Sequence, residues 1–380
     1  MHTIMERTSP EKGLEKGKKR VDSRNENHIT QGELPHITLP TCDDRLIWDV
    51  WASFFHLPAL TVADELGLFS FLKRTPATAE EVSQIFSLKM RATESLLGVL
   101  ASLGFLVQRQ NRFYVTDVSR NFLLPESPYY WGGMLHACRD LPNMHFLIED
   151  TLQRDESLLY ETEDIKISGK VTNLWEHEEL GPEQAEFLTR VMHSHSFPAA
   201  IGVAQWGDFT DVRHLLDVGG GSGCFCIALA LHYPEMQFTV MELPSVCELA
   251  EQYITAYGLQ HQITTVAVDM FTDPWPFGYD GIFFSNIFHD WDREHCLHLG
   301  KRCFEVLPSG GHIYLHELLL SDTRDNPLMT ASYSMAITLF YGNTLFTTGE
   351  LDELLRECGF EDISVTHTYG YYSLVSGRKP

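Results

Sequence analysis

The run Leu215-Leu216-Asp217-Val218-Gly219-Gly220-Gly221-Ser222-Gly223 joins an apolar strand to a glycine turn that opens a helix from Cys224 to Tyr233. Glycines at such a turn adopt left-handed backbone angles and let a ligand lie directly against the chain. Phe238-Thr239-Val240-Met241 reads as the next strand and ends in Glu242. An acid placed there, about twenty residues past the glycines, can take both hydroxyls of a ribose. Glycines alone would indicate only a tight turn. With the strand before, the helix after and the placed acid, they predict a nucleoside site. Asp217 precedes the glycines inside the strand end, so the run is not the usual dinucleotide pattern Gly-x-Gly-x-x-Gly.

Working outward, the pattern from Val212 onward alternates strands with helices. Strands are predicted at 213–218, 237–241, 263–268, 280–285, 311–316, 362–367 and 370–377. That order implies an α/β, Rossmann-like, doubly wound parallel sheet. The last two strands have no long helix between them and predict an antiparallel edge hairpin. Ligands of such sheets bind along the carboxyl ends of the strands. There Asp269 and Met270 can hold an adenine by its amino group and face, and Ser285 offers a hydroxyl. Ser196, just before the first strand, can take the amino-acid end of a cofactor.

Upstream, residues 46–72 are helical in period, with Trp48, Phe55, Ala59, Val62 and Leu66 on one stripe and a break expected near Pro58. Their aromatic density suggests a buried or subunit-facing element. Thr78 reads as a helix cap with Glu81 three residues on. A helix from Arg91 to Leu103 and a hairpin turning at Gln110-Asn111 complete a winged helix. The second helix of that module has only Lys89 and Arg91 as cations at its start, whereas reading DNA wants a basic face. Dimerisation and a lid role fit better. Helices at 145–155 and 182–193, with a loop at 165–170, are expected to build an acceptor pocket. The division expected is a disordered tail (1–40), a winged-helix dimerisation domain (41–125), a helical acceptor-pocket and linker region (126–205) and a cofactor-binding domain (206–380).

Composition narrows the partners. The chain has 380 residues, 44% of them hydrophobic, and a net charge of −24, which repels nucleic acid. No run of eighteen uncharged apolar residues occurs, so no membrane span is expected. The first forty residues are polar and lack the apolar core of a secretory signal, and their acids argue against a transit peptide. Eight cysteines include no Cys-x-x-Cys pair and read as reduced core thiols of a cytoplasmic protein. Cys224 and Cys226 lie two apart on a helix and face different ways, so no metal site is expected.

The remaining motifs are Glu242-Leu243-Pro244, Val268-Asp269-Met270-Phe271, Asn286-Ile287-Phe288-His289-Asp290-Trp291, Leu307-Pro308-Ser309-Gly310-Gly311, Glu350-Leu351 and Glu357-Cys358-Gly359-Phe360. With the glycine run they make the chain, from about Leu46 to Pro380, resemble the caffeate-type and acetylserotonin-type O-methyltransferases and their bacterial relatives. That resemblance implies a class I S-adenosylmethionine-dependent enzyme, a winged-helix homodimerisation domain, and release of S-adenosylhomocysteine. It implies a cofactor set of Ser196, Asp217, Gly219, Gly221, Glu242, Leu243, Asp269, Met270 and Ser285. It also makes His289 the catalytic base, supported by Glu317 and Asp290.

The chemistry agrees. Methyl transfer is an in-line displacement, and a neutral hydroxyl needs a positioned base, for which histidine has a suitable pKa. Met192, Tyr333, Met335, Phe340 and Tyr341 are expected to line the acceptor pocket, although methionines and aromatics also serve as core. Two positions depart from the plant pattern. Leu345 stands where plant members carry a second glutamate, and Ser285 where they carry a lysine. The first leaves room for another acceptor, such as a small thioether acid of the kind methylated on the route to dimethylsulfoniopropionate. A ligand-sensing winged-helix regulator and a nicotinamide-dependent dehydrogenase are the readings from other classes.

Overall fold

The computed structural model describes residues 44–139 and 182–380, together with Ile148 and Leu152. The expected tail at 1–40, the helix at 145–155 apart from those two residues, and the loop at 165–170 lie outside the described residues. By internal contacts the chain divides into Met1–Trp51 and Ala52–Pro380.

The glycine run folds as its spacing predicts. Strand β3 (His214–Val218) leads through the turn into the helix Cys224–His232. Gly219, Gly221 and Gly223 have φ of 68°, 54° and 72°, the region that side chains disfavour. β3 lies beside β4 (Gln237–Glu242) and β6 (Gly281–Ser285), with β5 (Ile263–Ala267) outside β4 and β7 (His312–Leu318) outside β6, all parallel. β8 (Glu361–Tyr369) and β9 (Tyr372–Arg378) close the sheet antiparallel, in the order β5-β4-β3-β6-β7-β9-β8. Residues buried on both sheet faces, among them Leu215, Leu216, Ile282 and Phe283, explain the nearly unbroken apolar strands.

In the N-terminal part, Thr78 and Glu81 form a reciprocal capping box on the helix Ala79–Ile85, followed by the helix Met90–Ser102. β1 (Leu106–Arg109) and β2 (Arg112–Val115) pair antiparallel around Gln110 and Asn111, whose φ values of 48° and 62° give the tight hairpin turn. The helix break expected near Pro58 lies earlier, between the helices Arg45–Ser53 and His56–Glu65. Pro58 sits in the first turn of the second helix, where its missing N–H costs nothing.

Trp48, Phe55 and Val62, expected on a covered stripe, are 58%, 50% and 47% exposed, and Leu46, Ile47, Trp51 and Phe54 are exposed with them. The stretch Arg45–Glu65 is long and apolar enough to cross a membrane by length and composition alone. Asp49 and Asp64 interrupt it, so it holds no run of eighteen uncharged apolar residues.

The helix expected at 182–193 continues to Trp206 and runs through Pro198. Ala200 and Val203, both fully buried, pack in one cluster with the helix Cys224–His232, and that burial outweighs the backbone bond a proline forfeits.

Candidate active site

A cavity of about 1060 Å3, counting its open mouth, lies at the carboxyl ends of β3 to β6. Its floor is the glycine turn. A Cβ on Gly219 would sit 2.5 Å from Ile287 Cδ1, and one on Gly220 2.7 Å from the Asp217 carboxyl, whereas the Cβ position of Gly221 has nothing within 4 Å. The turn thus has no room for a side chain at Gly219 or Gly220 and is open at Gly221. Asp217, Gly219, Gly221, Glu242, Leu243, Asp269, Met270, Ser285, Ser196, Met192 and Tyr341 all line this space, so the cofactor candidates converge on it together with two acceptor-pocket candidates.

Each acid is held differently. Glu242 accepts from Gly221 N at 3.1 Å and from Leu243 N at 2.8 Å, which ties β4 to the turn, and burial raises its pKa. Asp217 is fully buried, accepts from the Cys226 thiol at 3.3 Å, and is pushed up to about 7 by burial. Asp269 accepts from Phe271 N and Thr272 Oγ1, both at 2.8 Å, a local turn that shapes the loop after β5. Arg302 clamps that loop by donating to the carbonyls of Met270 and Asp273 while its guanidinium lies over Trp275.

His289 and Glu317 do not line this cavity; they meet beside its lining residues Ile287 and Asp290. His289 lies in the single 3-10 turn Phe288–Asp290 after β6, and Glu317 lies on β7. Glu317 Oε1 accepts from Ile287 N and Phe288 N, and its Oε2 lies 2.5 Å from His289 Nδ1. The carboxylate therefore fixes both the turn and the ring. Burial opposes the charged ring, but Glu317 and Asp290 outweigh it and raise His289 to about 9. Asp290 acts on the ring by charge alone. Its Oδ1 lies 3.4 Å from His289 Nε2 and makes no hydrogen bond, and burial raises its pKa to about 7.

The acceptor-side candidates divide. Tyr333 meets the His289 ring edge to face at 6.0 Å. Met335 does not line the cavity and is 39% exposed, because it lies two residues from Tyr333 on the opposite side of the helix Leu328–Tyr341. The side chain of Phe340 lies outside the described residues. Tyr341 lines the cavity. Leu345 is fully buried with Leu318, Leu320 and Ile337, in a place that would not solvate a carboxylate.

Two polar residues escaped the sequence reading. His195 is 8% exposed and its buried Nε2 has no partner; burial lowers its pKa to about 4, aided by His289. Asn286 lines the cavity at φ 57°, with a buried and unpartnered Oδ1. The run Met192-His-Ser-His-Ser carried a hint of the first, since a histidine on a helix destined for burial needs a partner.

The cysteines Cys224, Cys226, Cys247, Cys296, Cys303 and Cys358 are free and buried, and among the described residues no cluster of three or more His, Cys, Asp or Glu could hold a metal ion.

Residues 158–361 match the O-methyltransferase domain and residues 48–125 the O-methyltransferase dimerisation domain. The chain is 31% identical to 3-hydroxy-5-methyl-1-naphthoate 3-O-methyltransferase of Streptomyces sahachiroi over 92% of this chain and 98% of that one. It is 26% identical to L-tyrosine C(3)-methyltransferase of Streptomyces lavendulae over 79% and 82%. Among solved structures, human N-acetylserotonin methyltransferase in complex with S-adenosylmethionine superposes with a TM-score of 0.76 at 25% identity, over 90% of this chain and 99% of that one. The thioether, regulator and dehydrogenase readings are not favoured by these relatives. The chain belongs to the S-adenosylmethionine-dependent O-methyltransferase family.

Proposed function

We propose that this protein transfers the methyl group of S-adenosylmethionine to a hydroxyl of a small aromatic molecule, with His289 as the base. The observation that carries this is the Glu317–His289 pair beside the glycine-floored cavity. When bound, the sulfonium supplies an electrophilic methyl carbon. In the neutral ring, Nδ1–H donates to Glu317 and leaves the lone pair of Nε2 for the acceptor's proton. A base raised to about 9 is well matched to a phenol, whose pKa is about 10. Glu242 fits the ribose, Asp269 and Met270 the adenine, and Asp217, Gly219, Gly221 and Ser196 the amino-acid end, as the cradle around Gly221 supports.

The relatives named above act on a hydroxynaphthoate, on L-tyrosine and on N-acetylserotonin, all carrying rings, which supports an aromatic acceptor here. The exposed apolar face of residues 46–62 and the dimerisation-domain match support a homodimer that covers that face. Buried free thiols support a reducing, cytoplasmic setting.

The test is a screen of phenols, hydroxyarene acids, hydroxy acids and thioethers with methyl-labelled S-adenosylmethionine. Label should pass to a ring hydroxyl and be lost in His289→Ala while S-adenosylhomocysteine still binds. Undiminished transfer by His289→Ala, or label on a thioether alone, would overturn the reading.

A further inference from the structure

His316 is a buried imidazole that the chemistry above does not use. It stands beside Ser285 in the β6–β7 register, and its Nδ1 lies 2.9 Å from Ser285 Oγ. Its Nε2 lies 3.1 Å from Thr368 Oγ1. The ring stacks on Tyr372 at 4.7 Å and meets Phe225 at 5.2 Å, so its orientation is set by packing. Burial pushes its pKa down to about 3, which keeps it neutral. A neutral imidazole donates through one nitrogen and accepts through the other.

The far end of the chain decides which. Thr368 Oγ1 also lies 3.3 Å from the carbonyl oxygen of Tyr372, which can only accept. The single hydroxyl proton of Thr368 satisfies that carbonyl, and its oxygen then accepts from His316 Nε2–H. Nδ1 is left bare and takes the hydroxyl proton of Ser285. The opposite assignment sets the Thr368 lone pairs against a carbonyl oxygen. With its proton engaged, Ser285 has only lone pairs left. Asn286 Nδ2 approaches one at 3.4 Å, and Ser285 lines the cavity.

We propose that Ser285 meets the cofactor solely as a hydrogen-bond acceptor, a polarity imposed by the tautomer of His316. This rests on the cofactor reading above. The partner is then one of the donor-bearing groups of S-adenosylmethionine: the adenine amine, a ribose hydroxyl or the α-ammonium. It also inverts the plant pattern, in which a lysine, a pure donor, stands at this position.

Two measurements test it. Nitrogen-15 NMR of the histidine-labelled full-length protein at pH 7 should show His316 protonated at Nε2; protonation at Nδ1 overturns the proposal. Calorimetry should show Ser285→Ala binding S-adenosylhomocysteine about tenfold more weakly than wild type. Three analogues, lacking the adenine amine, the 2′-hydroxyl or the α-amine, then locate the donor. For one of them the wild-type protein should lose affinity and Ser285→Ala should cost nothing more. An equal penalty from Ser285→Ala across all three analogues, or no penalty with any ligand, refutes the acceptor role. A wild-type protein that binds no S-adenosylhomocysteine sinks the cofactor reading, and the proposal with it, whatever tautomer His316 shows.

Discussion

Glu317→Gln is the most direct probe of the catalytic pair, because it preserves shape while removing the charge. In the wild-type protein one carboxylate serves Ile287 N, Phe288 N and His289 Nδ1, and it is 1% exposed. A glutamine oxygen can still accept from the two backbone N–H groups, but its NH2 then faces Nδ1. The ring must present a bare Nδ1 and carry its proton on Nε2, the atom that should receive the acceptor's proton. Loss of a positioned base of this kind lowers the turnover plateau by roughly 10²- to 10⁴-fold. Burial, then opposed by Asp290 alone, also lowers the ring from about 9, at roughly 1.4 kcal/mol in the cost of charging it per pKa unit. The assay pairs a nitrogen-15 titration of His289 with pH profiles of labelled methyl transfer. In the wild type kcat/KM should climb with pH through about 9, and in Glu317→Gln the climb should move to lower pH at a much lower plateau. S-adenosylhomocysteine affinity should change less than about threefold, since Glu317 does not line the cavity. An unmoved titration of His289, or a plateau within about tenfold of wild type, would refute the arrangement.

The same shifts set the pH dependence of stability. His289 is raised when folded, so its contribution is complete below about pH 6.5 and lost as pH rises through about 9. Asp217 and Asp290, raised to about 7 from 3.8, add losses of the same sign between those values, but His193, His195 and His316, lowered to about 4, 4 and 3, oppose them up to about 6.5, so thermal melts of the cofactor-free protein should fall from pH 7 to 9; a rising or flat curve in that window contradicts the assignments. Leu345→Glu should destabilise by several kcal/mol, about the cost of an unpaired buried carboxyl, and urea unfolding within ~1 kcal/mol of wild type would show that the cluster around Leu345 admits water. Arg302→Lys cannot span the two carbonyls of the Asp269 loop and should weaken S-adenosylhomocysteine by roughly three- to tenfold, with equal affinity counting against the clamp.

Much of this molecule is legible along the chain because its causes are local. Period-two alternation, helical stripes, the Thr78 cap, the Gln110-Asn111 turn and the left-handed glycines each depend on neighbours a few residues away. They suffice to place all seven strands of the main sheet, the winged helix and the glycine-floored site. The convergence of Glu242, Asp269 and Ser285 also follows from the sequence, because strand ends of a parallel sheet share one edge.

What only the tertiary structure decided depends on register between distant segments. The hold of Glu317 on both the 288–290 turn and the ring of His289 is set by β6 pairing with β7. The approach of Asp290 to the ring without a hydrogen bond, the burial of Leu345 and the outward face of Met335 follow from packing that no local pattern records. Ser285 shows the division most clearly. The sequence places its hydroxyl at a cofactor edge, but its hydrogen-bonding direction comes from His316, 31 residues on, and Thr368, 52 beyond that. A proton's position in a buried network answers to every group in it, and the fold alone brings those groups together.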